Sequence, residues 1–313
     1  MIRRFLVVAI VAVPFSLAIW YVAGTHGACP NSDGIVCETA SESGWRECDG
    51  KTVIDDNALT KSDVDGLNKM IEANRHTDMK VLIEQLGRTE CTLKLAPAPK
   101  KALASTAIYE ESKKSVVMMC ALFKCGKCNN WHNSIATGYV ISADGAICTN
   151  YHVINDTKPQ TIGVVTSDGK IYPVREVLAA SKNDDIAIVK ADLGTDSLTP
   201  LSLTPEAPVG SYVYIISHPV NQYYMFTSGM VSRYFTNYDQ KGTALGPMMA
   251  VTAEYAKGSS GAPILNQNGS VVGMVSSTKS IYYTVDKGVE KDFQMVLRQC
   301  VMAESILKLV KTK

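Results

Sequence analysis

Short runs of apolar and β-branched residues, separated by turn residues, dominate the chain from about residue 112 onward. Segments such as Ser167-Asp168-Gly169 and Asn266-Gln267-Asn268-Gly269 mark many of the turns. The runs fall into two groups of six: Val116–Phe123, Ile135–Ile141, Ile147–Asn150, Thr161–Thr166, Ile171–Leu178 and Ile186–Val189, then Tyr212–Ile216, Met225–Ser232, Met248–Thr252, Ala262–Leu265, Val271–Ser276 and Ile281–Val285. No long helical pattern separates them, so we predict a mainly β double barrel or sandwich rather than a parallel α/β sheet.

Helical spacing of apolar residues occurs on both sides of this β-rich region. Two short helices are predicted near the N-terminus, with Ser62 and Gly87 as cap residues, from the spacing of Val64, Leu67 and Ile71 and of Met79, Leu82, Ile83 and Leu86. An amphipathic C-terminal helix, packed on the β-rich domain, is predicted from Phe293, Val296, Leu297, Cys300, Leu307 and Val310.

The N-terminus has the pattern of an export segment. Arg3 and Arg4 precede an apolar run from Phe5 to Val22. This run is longer than a usual cleaved signal core and close to the shortest that spans a bilayer. Residues 1–28 are therefore predicted to be either a signal peptide or a membrane anchor, and both place the rest of the chain outside the cytosol.

Composition divides the remaining chain into three parts. Residues 29–94 form a small, cysteine-containing helical segment, and residues 95–111 begin with a run rich in Pro, Ala and Lys that predicts a linker. Residues 112–313 form the β-rich domain with its C-terminal helix. The formal net charge of +1 gives no reason to expect nucleic acid as a partner.

Nine cysteines are spread over the chain: Cys29, Cys37, Cys48, Cys91, Cys120, Cys125, Cys128, Cys148 and Cys300. In an oxidising compartment they predict disulfides with one cysteine left over, in two local sets, before residue 100 and between residues 120 and 148. Cys125-x-x-Cys128 with His132 could instead bind zinc, but a second well-spaced pair of the usual kind is missing, so we predict no metal site.

The segment Gly258-Ser259-Ser260-Gly261 contains a candidate nucleophile, Ser260. Glycines on both sides of a serine allow a sharp turn and a close approach to a substrate. The same geometry can aim the amides of Gly258 and Ser260 at one point and form an oxyanion hole. A plain Gly-Ser turn without chemical function is the alternative interpretation.

His152 and Asp185 complete the set of residues that amide hydrolysis needs. His152 follows a predicted strand at the edge of the β-rich domain and is the candidate general base. Asp185 opens a buried strand, where a carboxylate can accept the other ring N–H of a histidine. Asp184 is the rival carboxylate, and Asp185 is favoured because it directly precedes the apolar run.

Three segments resemble the motifs of HtrA/Deg-type trypsin-like serine proteases: Thr149-Asn150-Tyr151-His152-Val153-Ile154, Asp185-Ile186-Ala187-Ile188-Val189 and Gly258-Ser259-Ser260-Gly261-Ala262-Pro263. The order His, Asp, Ser is the chymotrypsin-like order, and the G-x-S-x-G pattern of α/β-hydrolases is missing. The resemblance covers about residues 112–290. It implies two six-stranded antiparallel β-barrels, a catalytic triad of His152, Asp185 and Ser260, an oxyanion hole from the amides of Gly258 and Ser260, and no metal or organic cofactor.

The resemblance also implies a substrate pocket lined by residues 254–257 and 276–278, among them Glu254, Tyr255, Ser276 and Thr278. Glu254 at the base of this pocket would attract a Lys or Arg side chain of the substrate. A Glu254 side chain that faces solvent is the alternative.

The chain departs from the family pattern at three places. Ser259 replaces the usual Asp or Asn, Ala262 replaces a Gly, and too few residues follow the predicted barrels for a PDZ domain.

We predict an extracytoplasmic serine endopeptidase that acts on protein or peptide substrates. The alternative is a catalytically inactive protein that keeps the fold for binding or as a scaffold. Relatives of this type commonly form trimers, so an oligomer is compatible with the resemblance.

Overall fold

The computed structural model describes residues 44–239, 241–286 and 288–313. The predicted export segment, residues 1–28, lies outside the described residues, as does the start of the cysteine-containing segment. Within the described ranges, no helix is both long and apolar enough to cross a membrane.

Helices and short strands of the N-terminal part pack against the β-rich domain. These elements are β1 (Trp45–Cys48), β2 (Lys51–Ile54), α1 (Asp56–Glu72), α2 (Met79–Glu84), β3 (Cys91–Leu93) and α3 (Ser105–Ser112). The two predicted helices are present, and α3 lies at the end of the predicted linker. The cap prediction for the first helix is wrong, because α1 begins before Ser62. The Asp55 carboxylate accepts the Ala58 amide at 2.9 Å and caps α1 there.

The first barrel is closed and antiparallel, and its strands run in the order β4-β5-β6-β9-β8-β7. Its elements are β4 (Val116–Lys124), β5 (Trp131–Ser142), β6 (Ala146–Thr149), α4 (Tyr151–Ile154), β7 (Thr161–Val165), β8 (Ile171–Ser181) and β9 (Ile186–Ala191). Each of the six strands overlaps one predicted run, to within one residue at its end for β6 and β7. Most residues of β4, β6, β7 and β9 are buried on both faces, which explains why they read as continuous apolar runs.

The second barrel is also closed, in the order β10-β11-β12-β15-β14-β13. Its strands are β10 (Tyr212–Ser217), β11 (Met225–Tyr238), β12 (Ala244–Val251), β13 (Pro263–Leu265), β14 (Val271–Asp286) and β15 (Val289–Met302). The predicted pair of six-stranded antiparallel barrels is therefore confirmed. One buried cluster connects the barrels and α1, since it contains Leu67, Met118 and Leu265.

The predicted C-terminal helix is wrong over most of its length. Phe293, Val296, Leu297 and Cys300 lie in β15, and only the short helix α5 (Ala303–Leu307) is helical; β16 (Val310–Thr312) then pairs in parallel with β3. The runs predicted as separate fifth and sixth strands are one long strand, β14, which pairs with β15 almost from end to end. The apolar spacing fits a helix, but pairing with β14 makes this segment a strand.

The predicted disulfide set between residues 120 and 148 is also wrong. The free cysteines among the described residues are Cys91, Cys120, Cys125, Cys128, Cys148 and Cys300, whereas Cys48 is disulfide-bonded. Cys120 and Cys148 are fully buried and pack as small apolar side chains in the barrel core. Burial raises the pKa of the Cys148 thiol to about 12, so this residue is chemically inert.

Candidate active site

His152 lies in α4, directly after strand β6, and its ring joins two other predicted site residues. Nδ1 is 2.9 Å from Asp185 Oδ1, and Nε2 is 3.0 Å from Ser260 Oγ. Since an ionised carboxylate only accepts, Nδ1 carries the proton, and Nε2 accepts the serine hydroxyl. The His152 side chain is 52% exposed, so a substrate can reach this face of the ring.

Asp185 lies just before β9 and is oriented by contacts on both of its carboxylate oxygens. Oδ1 also accepts the backbone amide of His152 at 3.1 Å, and the Ser276 hydroxyl donates to Oδ2 at 2.7 Å. The Asn150 side chain donates to the Asp185 carbonyl at 3.0 Å. The backbone of Asp185 is in the left-handed region, with a φ of 56°, which Asp tolerates better than most residues. These contacts hold the carboxylate toward the ring of His152.

Asp184, the rival carboxylate, and His218, another histidine of the chain, have other roles in the structure. Asp184 accepts the Ser181 hydroxyl at 2.6 Å within the turn before β9. His218 is fully buried, its Nδ1 accepts the Tyr224 amide at 3.1 Å, and desolvation lowers the pKa of its ring to about 3. His218 therefore stays neutral and has no access to a substrate.

Glycines hold the loop around Ser260 close to neighbouring backbone. Gly258 has a φ of +100°, and a Cβ atom there would lie 2.4 Å from the His218 carbonyl oxygen. Gly261 has a φ of +85°, and a Cβ atom there would lie 2.1 Å from the Thr137 carbonyl oxygen. Only glycine combines this backbone conformation with such close approaches.

Thr137 on β5 ties the nucleophile loop of the second barrel to the first barrel. Its amide donates to the Ser260 carbonyl at 2.8 Å, and its hydroxyl donates to the Gly258 carbonyl at 2.9 Å. Sequence reasoning missed Thr137 and Asn150 as supporting residues. Asn150 stands inside a segment that carries the family resemblance and Thr137 inside a predicted strand, but their contacts depend on residues that are distant in the chain.

The amides of Gly258 and Ser260 are available to an external acceptor. No hydrogen bond within the described part of the chain uses either of them. The Lys257 carbonyl, which precedes the first amide, accepts the Val220 amide at 2.7 Å. Ser259 is buried and donates its hydroxyl to Ser217 at 3.0 Å, so it supports the loop from the interior.

A groove passes beside the ring of His152 and the hydroxyl of Ser260. Gly258 and Lys257 line one part of it, and apolar residues from β4, β5, α4 and β7 line the other: Met119, Ala121, Ile135, Ala136, Val153 and Ile162. Such a surface can receive an apolar side chain next to the reacting carbonyl.

The four predicted pocket residues have different surroundings. The Glu254 side chain is 75% exposed and forms an ion pair with Arg298 Nη2 at 2.6 Å. The Tyr255 hydroxyl lies within hydrogen-bond distance of the carbonyl oxygens of Ser277 and Gln299, at 2.9 and 3.0 Å. Its buried ring therefore points toward β14 and β15. Ser276 contacts Asp185, as described above, and Thr278 is exposed on β14.

Two closed antiparallel barrels that contribute a histidine and an aspartate from one barrel and a serine from the other are characteristic of the chymotrypsin-like fold class. Comparison with known proteins agrees with this class. Residues 136–274 match the family model described as the trypsin-like peptidase domain.

Several curated relatives are similar to about half of the chain. A probable periplasmic serine endoprotease, DegP-like, from Halomonas elongata is 31% identical over 145 residues, which cover 46% of this chain and 29% of the relative. A protein of the same description from Chlamydia pneumoniae is 30% identical, with 44% and 28% covered. The serine endoprotease DegS from Haemophilus influenzae is 27% identical, with 50% and 45% covered.

The chain therefore contains a trypsin-like peptidase domain and is homologous to the DegP and DegS serine proteases. It spans less than a third of the length of the DegP-like relatives and less than half of DegS.

Proposed function

We propose that this protein is a serine endopeptidase that hydrolyses peptide bonds in extracytoplasmic proteins. The observation that carries the proposal is the continuous hydrogen-bonded chain from Asp185 through His152 to Ser260, at distances of 2.9 and 3.0 Å. His152 and Ser260 lie beside a groove that can hold a peptide. The periplasmic relatives and the predicted export segment support an extracytoplasmic location.

In the first half of the reaction, Ser260 Oγ attacks the carbonyl carbon of the peptide bond, and His152 Nε2 takes the hydroxyl proton. A C–O bond forms, and the carbonyl oxygen becomes an oxyanion. The amides of Gly258 and Ser260 donate to this oxyanion. His152 then gives the proton to the leaving nitrogen, the C–N bond breaks, and the acyl group stays on Ser260.

In the second half, water attacks the acyl carbon while His152 Nε2 takes a proton from that water. The Ser260 Oγ–carbon bond breaks, the proton returns to Ser260, and the product leaves as a carboxylic acid. Asp185 accepts from Nδ1 throughout, which keeps the ring in one tautomer and stabilises its charged form. The chemistry requires no metal or organic cofactor.

The proposal is tested by labelling with a fluorophosphonate probe, which reacts with an activated serine. The full-length protein and the variants Ser260→Ala and Ser280→Ala are compared, because Ser280 is an exposed serine on β14 away from the triad. We expect an adduct on Ser260, found by mass spectrometry, and its loss in Ser260→Ala alone. A folded wild-type protein that takes up no probe and cleaves no peptide would favour the inactive binding protein instead.

A further inference from the structure

The tip of the hairpin between β4 and β5 brings together three side chains that can bind a metal ion. Cys125 Sγ and Cys128 Sγ are 3.5 Å apart, and His132 Nε2 is 3.1 Å from Cys128 Sγ. All three ligand atoms lie within 4.8 Å of one another. We propose that Cys125, Cys128 and His132 form a zinc site. This site is separate from the triad, and the proposal does not depend on the proposed function.

The distances suit a common centre. In a tetrahedral site with Zn–S bonds of about 2.3 Å and Zn–N bonds of about 2.0 Å, neighbouring sulfurs are about 3.8 Å apart, and a sulfur and a nitrogen about 3.5 Å. The sulfurs of Cys125 and Cys128 are already within a few tenths of an ångström of this spacing. Small rotations of exposed side chains are enough to complete the arrangement around an ion.

The backbone of the hairpin holds the first cysteine in a conformation suited to a ligand. The Lys127 amide lies 3.4 Å from Cys125 Sγ and donates toward it, which fixes the position of this sulfur in the loop. Gly126 between them has a φ of +73°, which lets the chain turn tightly enough for this contact. The loop therefore presents both sulfurs on one side.

Contacts beyond the three ligands brace the same hairpin. Lys124 Nζ donates to the Asn129 carbonyl at 2.7 Å and lies 4.0 Å from the centre of the Trp131 ring. The His132 ring stacks on Phe123, the residue directly opposite it on β4. The stacking orients the imidazole with Nε2 toward Cys128, and such support beyond the ligands raises metal affinity.

The donor set selects a class of metal. Two thiolates and one imidazole are soft or borderline ligands, which favour Zn²⁺ over Mg²⁺ or Ca²⁺. Among the described residues, no fourth Cys, His, Asp or Glu joins this cluster, so a water molecule completes the tetrahedron. The two thiolates balance the charge of the ion, and their protons are released when it binds.

The ion would fasten the end of a strand that also lines the groove. Ser134 and Ala136 follow His132 on β5, and both line the groove beside His152. A closed ring through the ion would tie the loop after β4 to the start of β5, next to the last strand pair of the hairpin, Lys124 and Trp131. None of the three proposed metal ligands is among the residues that line the groove, so the ion would brace the hairpin without contacting a substrate there.

The test uses the full-length protein, reduced with a phosphine, freed of metal and kept under argon. Zn²⁺ binding is measured by calorimetry, and Co²⁺ is added as a spectroscopic probe of tetrahedral thiolate ligation. We expect one Zn²⁺ per chain, thiolate-to-cobalt absorption bands, and protection of Cys125 and Cys128 from alkylation when zinc is present. Cys125→Ser and Cys128→Ser should each bind almost no zinc, and His132→Ala should bind it at least about tenfold more weakly.

Two matched variants control the measurement. Asn130→Ala changes an exposed side chain of the same loop, and Cys91→Ser removes a free thiol outside the cluster. Both should bind zinc as the wild type does. The proposal is overturned if the reduced wild type binds less than a tenth of an equivalent, or if the double variant Cys125→Ser/Cys128→Ser binds as much as wild type. The first outcome together with a Cys125–Cys128 disulfide in the protein as isolated would assign the pair to redox chemistry instead.

Discussion

Ser276 donates its hydroxyl to Asp185 Oδ2 at 2.7 Å and so connects the second barrel to the acid of the first. Ser276 lies on β14, whereas Asp185 lies in the turn before β9, and 91 residues separate them in the chain. The carboxylate thereby receives donors from both barrels, the Ser276 hydroxyl from the second and the ring and backbone amide of His152 from the first. A change in the packing of the two barrels would therefore move Asp185 and, through it, alter the orientation of the His152 ring.

Replacement of Ser276 by alanine tests this connection. A hydrogen bond to a charged group contributes about 1.5–3 kcal/mol, so kcat/KM should fall by about 10- to 100-fold. Ser277→Ala is the matched control, because its hydroxyl donates to the Gln299 side chain on β15 and, among the described residues, not to Asp185. Peptide hydrolysis and thermal unfolding are measured on both variants. If Ser276→Ala lowers the melting temperature but leaves kcat unchanged, Ser276 supports the fold and not the orientation of Asp185.

Gly258→Ala tests the proposed oxyanion hole. The added Cβ would collide with the His218 carbonyl, so the Gly258 amide must shift from its place. Loss of one oxyanion donor costs about 10²- to 10³-fold in kcat, and we expect a loss in this range. Gly210→Ala is the control, since Gly210 also has a positive φ, of 90°, but open space around its Cβ position. Similar kcat losses in both variants would show that backbone strain, and not the amide of Gly258, is responsible.

Asp63 on α1 should make the stability of the protein depend on pH. The residue is 1% exposed, one carboxylate oxygen has no hydrogen-bond partner among the described residues, and desolvation raises its pKa from 3.8 to about 7. The folded state therefore binds the proton more tightly than the unfolded state. The contribution of Asp63 to stability is greatest below about pH 4 and is lost as pH rises toward about 7, by up to about 4 kcal/mol.

Asp63→Asn should remove this part of the pH dependence and unfold at higher denaturant concentration than wild type at neutral pH. Asp65→Asn, an exposed neighbour on the same helix, should behave as wild type. Urea unfolding at a series of pH values measures the slope for all three proteins. Parallel slopes for wild type and Asp63→Asn would refute the assigned cause.

The ion pair between Glu254 and Arg298 bears on the choice of substrate. Arg298 is 13% exposed and neutralises Glu254, so a lysine or arginine side chain of the substrate finds little net charge there. We expect peptides with a small aliphatic residue before the scissile bond to be cleaved at least as fast as those with Lys or Arg. Arg298→Gln should shift the ratio of kcat/KM values toward the basic peptides. Lys279→Gln, an exposed position on β14, controls for the loss of one positive charge. A wild-type preference for basic peptides would restore Glu254 as the specificity residue.

Local patterns in the sequence determined most of the barrel strands. Runs such as Ile186–Val189 are apolar throughout because both of their faces are buried, and turn residues such as Ser167-Asp168-Gly169 end them. The residues His152, Asp185 and Ser260 could also be named in advance, because each stands within a short motif that carries the family resemblance. Their roles as a triad remain a prediction that the labelling experiment tests.

Tertiary structure decided the rest, because the deciding interactions join residues that are distant in the chain. Phe293 and Cys300 have a spacing compatible with a helix, and only pairing with β14 makes that segment a strand. Thr137 and Ser276 acquire their contacts with the site only when the two barrels pack together. Cys125 and Cys128 are another case that the sequence left open, because their spacing permits a disulfide or a metal site. The folded hairpin brings His132 close to both thiols, which favours the proposed metal site.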